Sequence, residues 1–380
     1  MVLEKLKLGE VAQIIMGQSP PGSTYNELGE GIPFFQGVAD FGPRFPSPRV
    51  YCTAPTRFAE PGDILLSVRA PIGRINRCDE RCSIGRGLCA VRAFDTDDQT
   101  YLEYSLRSME SSWDSLEGQG SVFGNARKED LENLWIIWPE KSARERIAGI
   151  LWALDDKIEC NRRINQTLEK MAMALYKHWF VDFGPFRNGK FVDSELGPIP
   201  KGWHICTIGD LCELAYGKGL PESRRVCGPY PVYGSASIIG SHNEYLVKAP
   251  GIIVGRKGTI GKLHRAKLPF FPIDTTYYVI PKASEYTLNF LFLMLGRLDL
   301  EKRNSDSAVP GLNRNDVYRL SVIKPPKLVL EDFDAKVACL FSQIDSLNFE
   351  NETLSNTRDY LLPKLLSGEI EVGAVIGIPK

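Results

Sequence analysis

Two short stretches of this chain concentrate positive charge, and their side chains are the ones best suited to grip a ligand. In the first, Arg69, Arg74, Arg77, Arg81, Arg86 and Arg92 are opposed only by Asp79 and Glu80. In the second, Lys248, Arg256, Lys257, Lys262, Arg265 and Lys267 stand in a run with no acid between Tyr245 and Phe271. Guanidinium and ammonium groups hold phosphate oxygens; Arg on guanine and Asn or Gln on adenine read base edges. Amides and hydroxyls on expected loops accompany them. The candidates in the half of the chain that holds the first stretch are Gln18, Ser19, Gln36, Arg69, Arg74, Arg77, Asn125 and Arg127. Those in the other half are Lys218, Arg224, Arg225, Ser235, Arg256, Lys257, Lys262, Asn313 and Arg314. Any one of them alone could equally be a solvated surface charge. The enrichment in both stretches together points to a polyanion.

The net charge of −1 hides this pattern. Residues 1–140 carry 14 basic and 20 acidic side chains, whereas residues 185–327 carry 20 and 12. A polyanion responds to the local field, not to the total.

Motifs for catalysis are missing. Gly255 to Lys262 resembles a phosphate loop, but the spacing is one residue too long and Leu263 stands where Ser or Thr must bind magnesium. Asp-Phe-Gly occurs at 40–42 and 182–184 without a kinase loop or a His-Arg-Asp. Cys78, Cys82 and Cys89, with Cys52 nearby, match no common zinc spacing and read as buried thiols. The four histidines form no cluster, and no adenine-methyltransferase Asn-Pro-Pro-Tyr or Asp-Pro-Pro-Tyr appears. No catalytic residue, metal or cofactor is assigned to this chain. Nine unpaired cysteines and the lack of a long apolar run suggest a reducing, cytoplasmic setting with no membrane span.

The elements that would position these residues are written twice. Leu8-Gly9 returns as Ile208-Gly209, Gly17 as Gly217, Ala70-Pro-Ile-Gly73 as Gly258-Thr-Ile-Gly261, and Pro139 as Pro325. Each copy closes on a heptad ladder. The first is Ile147, Leu151, Leu154, Ile158, Asn161, Asn165, Leu168, Ala172, Leu175 and Trp179; adding 186 gives Phe333, Val337, Leu340, Ile344, Leu347, Asn351, Leu354, Arg358, Leu361 and Leu365. Short apolar runs cut by Gly and Pro predict strand-rich mixed α/β parts, with helices near Tyr101–Leu116 and Leu288–Leu300. The ladders predict long helices over 142–181 and 331–366.

Two matching stripes in one chain favour an antiparallel intramolecular coiled coil with pseudo-two-fold symmetry. The expected organisation is a globular part at 1–140, a helix at 141–183, a second globular part at 184–327, a helix at 328–369 and a tail at 370–380. Asn165 and Asn351 fall near the centre of the ladder, where a paired asparagine fixes register. Large apolar groups on the helices are candidates for holding partners: Trp152, Trp179 and Phe180 on the first helix, and Phe349 and Tyr360 on the second.

The segments Leu8-Gly-Glu-Val-Ala12, Gly17-Gln-Ser-Pro-Pro-Gly22, Pro61-Gly-Asp-Ile-Leu65, Leu154-Asp-Asp-Lys-Ile158, Trp179-Phe180 and Leu362-Pro-Lys-Leu-Leu-Ser-Gly-Glu-Ile370 form a set spread over nearly the whole length. On these segments the chain resembles the specificity subunit of a Type I restriction–modification system. The resemblance implies two target-recognition domains reading a bipartite site in double-stranded DNA, separated by helical spacers. It implies two methyltransferase subunits as partners and, for restriction, translocase subunits. S-adenosylmethionine, ATP and magnesium would then belong to those partners. The alternatives are part of a free-standing or fused restriction–modification enzyme, against which the missing methylase motifs argue, and a coiled-coil scaffold that ignores DNA, against which the paired basic stretches argue.

Overall fold

The computed structural model describes residues 4–109, 113, 125–303 and 311–372. The chain forms two compact units. One draws on Met1–Asn161 and Glu350–Lys380, the other on Arg162–Phe349. The first unit is therefore discontinuous in sequence, and the divisions between the units fall inside the two long helices.

Each unit has the same antiparallel four-stranded sheet. In the first the order is Ala12–Met16, Leu88–Ala93, Ile64–Ser67, Ile75–Arg77; in the second it is Cys212–Tyr216, Thr276–Pro281, Gly251–Gly255, Leu263–Ala266. A second sheet accompanies each, of five short strands in the first unit and three in the second, and in each case one parallel pair anchors it: Phe34 opposite Ser83, and Val232 opposite Phe271. The central strands Ile64–Ser67 and Gly251–Gly255 are buried along their whole length, as a strand covered on both faces must be. A helical turn at Ile208–Leu211 separates His204–Thr207 from Cys212–Tyr216, with the Asp210 carboxylate accepting from Thr207 N–H at 2.8 Å. The helix expected to Leu116 ends at Ser108, and residues 110–112 and 114–116 lie outside the described residues.

The two long helices run Lys141–Phe180 and Lys327–Leu366, the second beginning four residues earlier than expected. Every ladder position on both is buried or half-buried. Within the first unit, Ile147 and Leu151 share a core with Leu365 and Leu366. Within the second, Tyr176, Trp179 and Phe180 share one with Phe333 and Val337. Early residues of one helix thus meet late residues of the other, so the pairing inside each unit is antiparallel.

Asparagines bridge the two helices inside each unit. Asn161 Nδ2 donates to Asn351 Oδ1 at 2.9 Å and to Glu350 Oε2 at 2.9 Å, and Asn165 Nδ2 donates to Asn348 Oδ1 at 2.8 Å. Asn351 and Asn165 are thus each hydrogen-bonded to another asparagine within their own unit. Among the described residues no helix is long and apolar enough to cross a membrane.

Candidate nucleic-acid interface

In the first unit, backbone hydrogen bonds lay several loop segments side by side at one edge. Gly17 N–H donates to Leu88 O and Gln18 N–H to Ile84 O, both at 2.9 Å. Gly85 N–H donates to Phe35 O at 2.8 Å, beside Gln36. Val68 N–H donates to Gly87 O and Ala126 N–H to Val68 O, both at 2.9 Å, and Arg69 pairs antiparallel with Asn125. Gly17 permits this approach because a Cβ there would lie 2.2 Å from Gly85 O. The edge collects Gln18, Ser19, Gln36, Arg69, Asn125 and Arg127. It also brings in Arg86, whose backbone N–H is 3.4 Å from Ser19 Oγ.

The second unit builds the same edge from the corresponding segments. Gly217 N–H donates to Thr276 O and Lys218 N–H to Pro272 O, both at 3.1 Å. Ile273 N–H donates to Tyr233 O at 3.0 Å. Arg256 and Lys257 N–H both donate to Thr275 O, at 2.9 and 3.1 Å, while Leu312 N–H donates to Arg256 O at 2.9 Å and Lys257 pairs with Gly311. Lys218 thus takes the place of Gln18, and Lys257 that of Arg69. Arg127 and Asn313 each cap the short helix that follows.

The Gly255–Lys262 segment is a hairpin turn, not a loop leading into a helix. Gly255 N–H donates to Lys262 O and Gly261 N–H to Gly255 O, both at 2.8 Å. Ser67 and Arg74 close the matching hairpin at 2.9 Å. Gly73 and Gly261 both adopt positive φ there, 84° and 71°, and a Cβ would meet the Trp113 ring or Glu301 N below. Arg74 and Lys262 are exposed at these hairpins.

Several candidates have structural duties instead. Arg77 donates to Glu103 Oε2 at 2.8 Å and lies 4.5 Å from the Trp152 ring centroid, so its charge is satisfied inside the first unit. Ser235 is buried, with its hydroxyl on Thr275 O at 2.5 Å and its carbonyl 3.0 Å from His264 Nε2. Burial of that imidazole holds it below the usual histidine range. Arg225 donates to Ile239 O at 2.8 Å, which pins it to a neighbouring strand; Arg224, beside it, is exposed.

The partner-binding set also divides. Trp152 is covered by Arg44 and Arg77, at 4.0 and 4.5 Å from its ring centroid. Trp179 and Phe180 are buried, 5.6 and 4.7 Å from the Phe333 ring. These three pack on their own units, because the helices carry globular parts as well as each other. Phe349 and Tyr360 remain exposed at 72% and 62%.

Cys78, Cys82 and Cys89 are buried; the first two thiols are 3.5 Å apart, and burial pushes the Cys89 thiol up to about 12. Sequence reasoning passed over Tyr216. Its exposed ring lies 4.9 Å from the Arg256 guanidinium carbon and 4.5 Å from that of Arg314. Tyr277, buried behind it at 5.1 Å, anchors through its hydroxyl to Leu312 O at 2.9 Å. The signal was an aromatic at the end of a strand immediately before a close-approach glycine.

A family described as the Type I restriction modification DNA specificity domain matches residues 3–170 and again 200–356. The chain is 26% identical to the Type I restriction enzyme MjaIX specificity subunit of Methanocaldococcus jannaschii, covering 96% of this chain and 93% of that protein. It is 30% identical to the MjaVIII specificity subunit of the same organism, over 72% of this chain and 71% of the other. The crystal structure of the S subunit of a Type I restriction–modification system from M. genitalium has the same fold. The TM-score is 0.59 at 19% identity, covering 96% of each chain.

Proposed function

Since the chain belongs to the Type I restriction modification DNA specificity family, we propose that it is the DNA-reading subunit of such a system, with one half of a bipartite site read by each unit. The observation that carries this reading is the duplicated edge. Two units with the same strand order present matching loops, yet the side chains differ: Gln18 against Lys218, Arg127 against Asn313. Equivalent placement with different chemistry is what two different half-sites require, because positions are set by phosphate contacts and identity by base edges.

The subunit itself carries no catalytic step in this reading. Two methyltransferase subunits, and translocase subunits when restriction occurs, supply adenine methylation and ATP-dependent cleavage. S-adenosylmethionine, ATP and magnesium bind there. Exposed Phe349 and Tyr360 on the closing helix are the surfaces assigned to the methyltransferases.

The test is an exchange of residues 1–140 for those of another family member, followed by mapping of the methylated sequence. One half of the recognised site should change and the other should persist. A change in both halves would refute the division of labour. Methyl transfer by this chain alone would refute the non-catalytic role.

A further inference from the structure

The second unit contains a cluster that the first lacks, and it rests on three residues from three segments. Tyr216 ends the edge strand Cys212–Tyr216; Arg256 follows the central strand Gly251–Gly255; Arg314 opens the helix Arg314–Tyr318. Both guanidinium carbons sit against the Tyr216 ring, at 4.9 and 4.5 Å. Each arginine is also tethered at one nitrogen. Arg256 Nη1 donates to Asp274 O at 2.9 Å, and Arg314 Nη1 reaches Leu214 O at 3.5 Å. The first unit has the same backbone without these side chains. Register puts Met16 where Tyr216 stands, since Met16 pairs with Cys89 as Tyr216 pairs with Tyr277. The hydrogen bonds from Ala126 to Val68 and from Leu312 to Arg256 put Val68 in the place of Arg256. Lys128, after the capping Arg127, takes the place of Arg314.

We propose that Tyr216 is a positioning residue that holds Arg256 and Arg314 for guanine recognition in the half-site read by the second unit. This rests on the reading of the chain as a DNA-specificity subunit. An arginine free in solvent loses rotamer freedom when it binds. One stacked on an aromatic face and tied at one nitrogen has lost much of it already. Such a guanidinium keeps donors at its edge, and the acceptors that match a planar pair of donors are guanine O6 and N7. A phosphate would also accept these donors in pairs, but equally for every sequence, and the lysine variants below separate the two. In the corresponding place of the first unit stands a lysine, Lys128, 3.3 Å from Glu132.

The experiment uses the full chain with its methyltransferase subunits and a library of randomised duplexes, from which bound sequences are selected and read. The unaltered complex should select a two-part motif; failure to select any would overturn both the DNA-reading function and this inference. Tyr216→Leu should lose a guanine preference at one half-site only, on the order of ten- to a hundred-fold, the discrimination of a bidentate contact. Tyr216→Phe should keep it, since the ring remains. Arg256→Lys and Arg314→Lys, which keep charge but not the planar fork, should relax guanine positions in that same half-site. The other half-site should be unchanged throughout. A Tyr216→Leu complex that still selects the full original motif would overturn the inference while leaving the DNA-reading function intact. So would lysine variants that weaken binding equally for all sequences, which is the mark of a phosphate contact.

Discussion

Asp155 and Arg358 are 203 positions apart in the chain and 2.6 Å apart in space. The other Asp155 oxygen accepts from the Tyr104 hydroxyl at 2.7 Å, so one carboxylate joins both long helices to the globular part of the first unit. Both side chains are mostly buried, at 9% and 21% exposure. Removing one partner of such a pair strands the other in low dielectric. Arg358→Ala should cost about 3 kcal/mol in urea-induced unfolding. Replacing Asp155 and Arg358 together by leucine should recover most of that loss; a double variant as unstable as the single one would show that the pair itself, not the stranded charge, stabilises the unit.

Arg69 and Lys257 occupy matching positions on the two edges, and each should contribute to affinity through charge. Arg69→Ala and Lys257→Ala should each lower DNA affinity of the assembled complex and reduce the dependence of log K on log salt by about one. The recognised motif should stay the same. A salt slope equal to that of the unaltered complex would remove these residues from the phosphate-contacting set.

Off-seam aromatics on the helices should separate into two behaviours. Phe349→Glu and Tyr360→Glu should leave circular dichroism and the unfolding midpoint close to normal while weakening methyltransferase binding. Phe180→Ala should instead destabilise the second unit by about 3–5 kcal/mol, as loss of a buried phenylalanine does. If Phe349→Glu unfolded the chain, its exposure would not describe its role.

The second unit should respond to acid through His264. Burial lowers the pKa of this imidazole in the folded chain, so the folded state favours the neutral ring. The stability this provides is full above the unfolded value near about 6.5 and is lost as pH falls through the lower folded value. The urea midpoint of the second unit should therefore fall on acidification below about pH 6.5, and His264→Gln should flatten that part of the curve. A curve unchanged by the substitution would assign the acid response elsewhere.

The sequence showed the duplicated framework and both helices because heptad spacing and repeated Gly and Pro signals are local. Their seam residues, from Ile147 to Leu365, are all buried or half-buried as the ladder requires. It did not show which charges were already engaged. Arg77 and Arg69 look alike in sequence, and only the fold puts Glu103 and Trp152 beside the first. Trp179 and Phe180 were misread for a related reason. A heptad stripe defines one contact face, and nothing local reveals that a second body, here Phe290 and Trp203, covers another.

The first unit is closed by its own far end. Leu365 and Leu366 sit in the same core as Leu8 and Leu66, while everything from Arg162 to Phe349 belongs to the other unit. During synthesis, then, the segment begun first is finished last. A nascent chain that has emerged as far as Phe349 contains every residue of the second unit. The first, at that moment, still shows its apolar helix face to water. The order of emergence from the ribosome is thus reversed in the order of completion, and a message cut short within the closing helix would spoil the half of the protein that was translated earliest.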